Sequence, residues 1–147
     1  MADADRATGS QRHDLIEAQT MPIRFTIDHA SRFVHAVADG VVTLRDMEDY
    51  LDQVVVQGAL PYRKLWDCRN VLYQYDDGDM MAIGARISAY GSLGSRGPIA
   101  IVAITPEAID ASLRYANLGG ARRPTKVFQS EAEARSWLRS QPEEPPQ

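Results

Sequence analysis

Apolar and polar residues alternate along Ile23-Arg24-Phe25-Thr26-Ile27, the two-residue period of a strand with one buried face. A turn-like Asp28-His29-Ala30-Ser31 follows, then a second strand-like run, Phe33 to Ala38, which Asp39-Gly40 is expected to end. Two strands joined so closely predict an antiparallel hairpin. From Leu44 the period changes. Leu44, Met47, Leu51, Val54 and Val55 recur at helical spacing, with Arg45, Glu48, Asp49 and Asp52 on the other side. Thr43 is placed to cap that helix, with Asp46 three residues on, a capping box with Asp in place of Glu. Gly58 and Pro61 are placed to end it.

Lys64 to Gly91 then reads as a short buried strand (Leu65 to Cys68), a polar loop (Arg69 to Gly78) and a helix from about Asp79 to Tyr90. Met80, Ile83, Gly84 and Ile87 form its apolar stripe. Gly91, Gly94 and Gly97 mark a loose connection. Pro98 to Ile104 is apolar on both faces, as a central parallel strand would be. Thr105-Pro106-Glu107 supplies an N-cap, a first-turn proline and an acidic first turn. The helix it opens runs to about Leu118, with Ile109, Leu113 and Ala116 inward, and Gly119-Gly120 stops it. Thr125 to Phe128 is a last strand. Ser130 caps a last helix, Glu131 to Arg139, with Trp137 and Leu138 inward. The expected core is Phe25, Leu51, Leu65, Ile83, Ile87, Ile101, Leu113, Phe128, Trp137 and Leu138. Strands and helices alternate after the hairpin, so the later strands should be parallel. Residues 1–21 are expected to be a flexible segment, 22–140 one domain, and 141–147 a disordered proline-rich tail.

Several stretches together resemble the SpoIIAA-like (STAS-like) family of small bacterial proteins. They are the hairpin, DGVVTLRDMEDYLD (39–52), LWDCRNV (65–71), PIAIVAIT (98–105) and TKVFQSEAEARSWL (125–138). The resemblance covers about Met21 to Leu138. The family is related to anti-anti-sigma factors and to the cytoplasmic domains of sulphate transporters. It implies an α/β fold, a SpoIIAA-like β/α superhelix. The N-terminal antiparallel hairpin would lead into parallel β-α units in a mixed four- or five-stranded sheet. It also implies regulatory or ligand-binding work, not catalysis.

Composition narrows the classes further. The chain has 147 residues, 44% hydrophobic and 24% charged, close to the globular average. A net charge of −4 argues against nucleic-acid binding, which wants a basic face. Met1 to Thr20 lacks the apolar core of a signal peptide, and Ile99 to Ile104 is too short to span a bilayer. A cytoplasmic, non-transmembrane protein is expected. Neither GxGxxG nor a P-loop is present, and CxxC and HExxH are absent. His13, His29 and His35 lack metal-ligand spacing, and no cofactor is expected. His35 is expected on the solvent side of its strand or satisfied by a neighbour. Cys68, the one cysteine, has no base in a shared motif and reads as a buried thiol.

The candidate site is the loop before the second helix. The resemblance places a phosphorylated serine of anti-anti-sigma factors at the start of this helix. Here the matching positions are Asp76-Asp77-Gly78-Asp79. Carboxylates at a helix start already occupy the place an anion would take. The same aspartates also serve as ordinary caps. Arg69, Tyr73, Tyr75, Asp76, Asp77 and Asp79 are the candidate partner-binding residues, although Tyr73 and Tyr75 equally suit the roof of a core. Arg114, Arg122 and Arg123, with Lys126 nearby, are a weaker anion-binding candidate whose alternative is charge complementing a helix C-terminus. The leading function is a non-enzymatic regulatory or protein-interaction domain that lacks the phosphorylatable serine. Its partner is an unidentified protein, with a homodimer as one form. The alternative is a carrier or sensor of a small apolar or lipid-like ligand.

Overall fold

A computed structural model describes residues 22–74, 76–94, 96–118 and 123–142. The expectations for residues 1–21 and 143–147 lie outside the described residues. Five strands form one sheet in the order β1-β2-β3-β4-β5. They are β1 Ile23–Asp28, β2 Phe33–Thr43, β3 Arg63–Gln74, β4 Ile99–Val102 and β5 Thr125–Phe128. β1 and β2 are the expected antiparallel hairpin, with Ile23 opposite Ala38 and Asp28 opposite Phe33. β2, β3, β4 and β5 are mutually parallel neighbours. The helices among the described residues are α1 Leu44–Val56, α2 Asp77–Ala89, α3 Pro106–Leu118 and α4 Glu131–Ser140, with a 3-10 turn at Tyr90–Leu93. This is the mixed five-stranded α/β architecture that the pattern predicts.

The sheet buries both faces, and the alternation of its strands sorts two cores. Val34, Ala36, Trp66, Cys68, Ile99 and Ile101 face the larger one, with Tyr50, Val54, Ile83, Ile87 and Ala108 of α1, α2 and α3. Leu65, Ala100 and Val102 face the smaller one, closed by Ala134 and Leu138 of α4. β4 is buried at every position, as a strand covered on both sides must be.

Two strand ends differ from the sequence reading. β2 does not stop at Asp39-Gly40; it continues to Thr43, passing through Gly40 at φ +78°, a conformation open to glycine without penalty. β3 does not yield to a loop at Arg69; it runs to Gln74 beside the extended β2, with Val41 opposite Leu72 and Val42 opposite Tyr73. Between the pairs Val37–Asp67 and Asp39–Asn70, β2 spends one residue and β3 spends two. Cys68-Arg69 is therefore a β-bulge, and a bulge reverses which alternate residues face inward. Trp66 and Cys68 face the larger core before it, and Val71 and Tyr73 face the same core after it. Read straight through, the period breaks at Arg69, and the polar residues beyond look like loop.

The helix starts follow the caps. Thr43 accepts from the Asp46 amide at 3.3 Å while Asp46 accepts from the Thr43 amide at 2.9 Å, the expected capping box. α2 opens two residues earlier than expected, because Asp76 is its N-cap and Asp79 the third helical residue. At α3, Thr105 Oγ1 accepts from the Ala108 amide at 3.1 Å.

Leu113 is not core. It is 50% exposed, whereas Ala108 and Ser112 of the same helix are buried. The inward stripe is rotated from the expected Ile109/Leu113/Ala116 line because Ser112 occupies a core position. Its hydroxyl donates to the Ala108 carbonyl at 2.7 Å and so needs no water. Leu113→Ala should change stability by less than about 1 kcal/mol, as read from urea unfolding; a loss in the 2–5 kcal/mol range typical of buried leucines would contradict this placement. Phe25, Phe128 and Trp137 are partly buried and flank the cores. Leu51, Leu65, Ile83, Ile87, Ile101 and Leu138 are buried as expected. His35 is half-buried, and its Nε2 is shut away from water with no hydrogen-bond partner, contrary to expectation.

Candidate functional site

Between α1, α2 and α3 and the face of the sheet they cover lies a cavity of about 60 Å³, several times the roughly 10–15 Å³ that admits one water. Met47, Tyr50, Leu51 and Val54 of α1 form one wall, Met80, Ile83 and Ile87 of α2 another, and Trp66, Ile99 and Ile101 the floor. Tyr73, brought inward by the bulge, lines it and accepts from the Trp66 indole nitrogen at 3.0 Å. Tyr50 meets Phe25 edge to face and Trp66 at a tilt, its ring 5.2 Å from Phe25 and 5.2 Å from Trp66. Arg86 ties the roof together, donating to Glu48 at 2.7 Å and to Asp52 at 2.6 Å across α1 and α2. These partly exposed pairs orient the helices more than they stabilise them.

One end of the cavity is cationic. Lys64, Arg96 and Arg123 all line it, each at least nine-tenths buried. The described lining residues include no Asp or Glu. Lys64 Nζ donates to the Leu60 carbonyl at 2.6 Å and the Tyr62 carbonyl at 2.8 Å. Burial pushes its pKa well down, and the charge of Arg123 pushes it the same way. Arg123 donates to the Tyr115 hydroxyl and, at 3.4 Å, to the Gly97 carbonyl. Its Nε is buried with no partner. Arg96 reaches the Ile87 carbonyl at 3.2 Å. Burial raises the Tyr50 pKa far enough to keep that phenol neutral.

The residues singled out from sequence are not all in one place. Arg69 donates to both Asp67 oxygens, at 2.9 and 2.6 Å, and to Glu131 at 3.1 Å, on the α4 face. Tyr73 is inside. Asp76 and Asp77 are exposed and Asp79 is half-buried, at the start of α2, where Asp77 pairs with Arg114. Arg114 also pairs with Asp110 at 3.1 Å, on the outside of α3, while Arg123 is in the cavity. The two arginines therefore belong to different environments. Tyr75 and Arg122 lie outside the described residues. Lys64, Arg96, Tyr50 and Tyr115 were not singled out. One signal was available: Lys64 shares strand parity with Trp66 and Cys68, so a charge stands where the pattern demands an inward side chain.

The remaining chemistry is structural. Cys68 is fully buried, donates to the Val102 carbonyl at 3.3 Å, and has its pKa raised by burial. Burial alone would raise Asp67, but hydrogen bonds from the Arg69 side chain and backbone, and its charge, outweigh that and hold the carboxyl low. The unfolded chain therefore binds this proton more readily. Asp67 stabilises the fold above its ordinary value of 3.8, and that contribution fades as pH falls below it through the depressed folded value. Urea midpoints measured from about pH 6 to pH 2 should fall less steeply in Asp67→Asn than in the parent; parallel curves would show the pair to be inert. Among the described residues no cluster of His, Cys, Asp or Glu is placed to hold a metal, and no helix is long and apolar enough to cross a membrane.

The chain matches no family model and no curated protein sequence. Solved structures do match. One is an uncharacterised protein of the DUF3478 family with a SpoIIAA-like fold from Shewanella loihica, at TM-score 0.56 and 16% identity, covering 79% of this chain and 93% of that one. Another is the anti-sigma factor antagonist SpoIIAA in its unphosphorylated form, at TM-score 0.52 and 13% identity, covering 81% of this chain and 99% of that one. At such identities the likeness establishes the fold: the chain has the SpoIIAA-like, STAS-like architecture.

Proposed function

We propose that the chain is a non-enzymatic STAS-like domain that carries or senses a small apolar ligand. The observation that carries this is the cavity between α1, α2, α3 and the sheet, roofed by Met47, Met80, Ile83 and Ile87 and floored by Trp66. A concave, mostly apolar site with few polar groups is the usual form of a small-molecule site, and methionines let such a wall adapt to its guest. The inert Cys68 supports the absence of nucleophilic catalysis.

Trp66 makes the test direct, since Trp137 packs on Phe128 of the α4 face, its ring 5.8 Å away. In a Trp137→Phe background, titration with 1-propanol, sized to a cavity of about 60 Å³, should shift Trp66 emission saturably. The protein should also release a bound small molecule when native and denaturing mass spectra are compared. No saturable shift, together with identical native and denatured masses, would overturn the reading.

The protein-interaction reading keeps one specific support. Val41 of β2 and Leu72 of β3, 48% and 64% exposed, lie side by side on the β2–β3 extension, Leu72 on the same strand as Arg69 and ahead of Asp76, Asp77 and Asp79. No serine or threonine stands between Val71 and Met80, so contact there would not be gated by a serine kinase. Asp76→Asn with Asp77→Asn that weakens capture of a partner would favour this second reading.

A further inference from the structure

We propose that the ligand is a short-chain monocarboxylate, its acid group held between Lys64 and Arg123 and its few carbons laid against Tyr50, Trp66 and Ile83. This rests on the cavity being a ligand site and adds what the ligand must carry. The argument is one of charge and of unclaimed donors. Lys64 and Arg123 line a space shared with tyrosines and apolar side chains, in which no described lining residue is acidic. Buried like charges are unfavourable unless something supplies a counter-ion, and without one Lys64 is driven toward its neutral form. Lys64 and Arg123 are close enough for the charge of one to depress ionisation of the other.

The donors left over fit one carboxylate. Two protons of Lys64 Nζ are taken by the Leu60 and Tyr62 carbonyls, so an ammonium there keeps one more. Arg123 uses its terminal nitrogens on Gly97 and Tyr115 and leaves the buried Nε unpartnered. The Arg123 Nε–H and the third Lys64 proton, regained as the acid binds, answer the two oxygens of a carboxylate through charge-assisted hydrogen bonds. Anchored by the Leu60, Tyr62 and Gly97 carbonyls, both side chains are held in place before a ligand arrives, which lowers the ordering cost of binding.

Three probes of equal chain length, short enough for a cavity of about 60 Å³, separate the possibilities: propanoate, 1-propanol and propylammonium, each titrated calorimetrically into the wild-type protein. Propanoate is expected to bind about 10- to 100-fold more tightly than propanol, and propylammonium least of the three. Arg123→Gln should remove most of the propanoate advantage and leave propanol affinity unchanged. Propanol or propylammonium binding as tightly as propanoate would overturn the carboxylate assignment while leaving the cavity standing. Failure of all three would overturn both. The wild-type ranking decides the matter even if Arg123→Gln does not fold.

Discussion

Gly97→Ala is expected to destabilise the protein by about 4 kcal/mol or more, enough to leave little native protein in a domain of ordinary stability. A β-carbon at Gly97 would fall inside the van der Waals envelope of the Pro61 and Tyr62 carbonyl oxygens. Those atoms are backbone, so no rotamer change relieves the clash. The segment has little room to retreat, because the Gly97 amide donates to the Leu60 carbonyl at 3.0 Å and the Lys64 amide to the Pro98 carbonyl at 2.9 Å. The same few residues carry the cationic end of the cavity: Leu60 and Tyr62 anchor Lys64, and Gly97 anchors Arg123. Thermal or urea unfolding measures the effect. A variant that unfolds within about 1 kcal/mol of the parent would mean that the two segments are not so closely apposed.

Leu65→Ala should cost about 2–5 kcal/mol, and its effect should be local as well as global. Leu65 is fully buried at the centre of the smaller core, with Ala100, Val102, Ala134 and Leu138. α4 is a ten-residue helix, too short to persist alone, and it docks on this core. Removing the side chain leaves a hole beneath it that Ala100 and Ala134 are too small to fill. Amide exchange along Glu131–Ser140 should therefore accelerate more than exchange along α1. The cavity is on the other face of the sheet, so ligand affinity should be retained. Equal acceleration in both helices would show that the two cores are one cooperative unit.

The fold was largely legible in the sequence because its elements obey simple periods and carry their own caps. Ile23–Ile27, the Thr43-Asp46 box and the apolar run at Ile99 each specify their element locally. The site was not legible, for three physical reasons. The bulge at Cys68-Arg69 breaks the strand period, so the inward Tyr73 was assigned to a loop. Ser112 satisfies its hydroxyl within its own helix, so a core position looked polar and Leu113 looked buried. The cationic lining comes from residues distant in sequence, Lys64, Arg96 and Arg123, which only the packing of three helices over the sheet brings to one cavity. The aspartates before α2 were conspicuous in sequence, yet Asp76 and Asp79 form a capping box at the start of the helix, each carboxylate accepting from the other's amide, at 2.9 and 3.2 Å.

The bulge in β3 acts as a phase shift in the chain's inside–outside code. Before it, even-numbered residues of the strand face the larger core; after it, odd-numbered ones do. Deleting one residue at Cys68-Arg69 would remove the extra residue and leave Tyr73 inward, opposite Val42. Pairing every residue in unbroken alternation would instead turn Tyr73 toward water and Leu72 toward the cavity, and the Trp66 indole would lose its phenol. What lines this end of the pocket is thus set by the one residue the strand sets aside, and the bulge is where the chain can lose a residue and keep its lining.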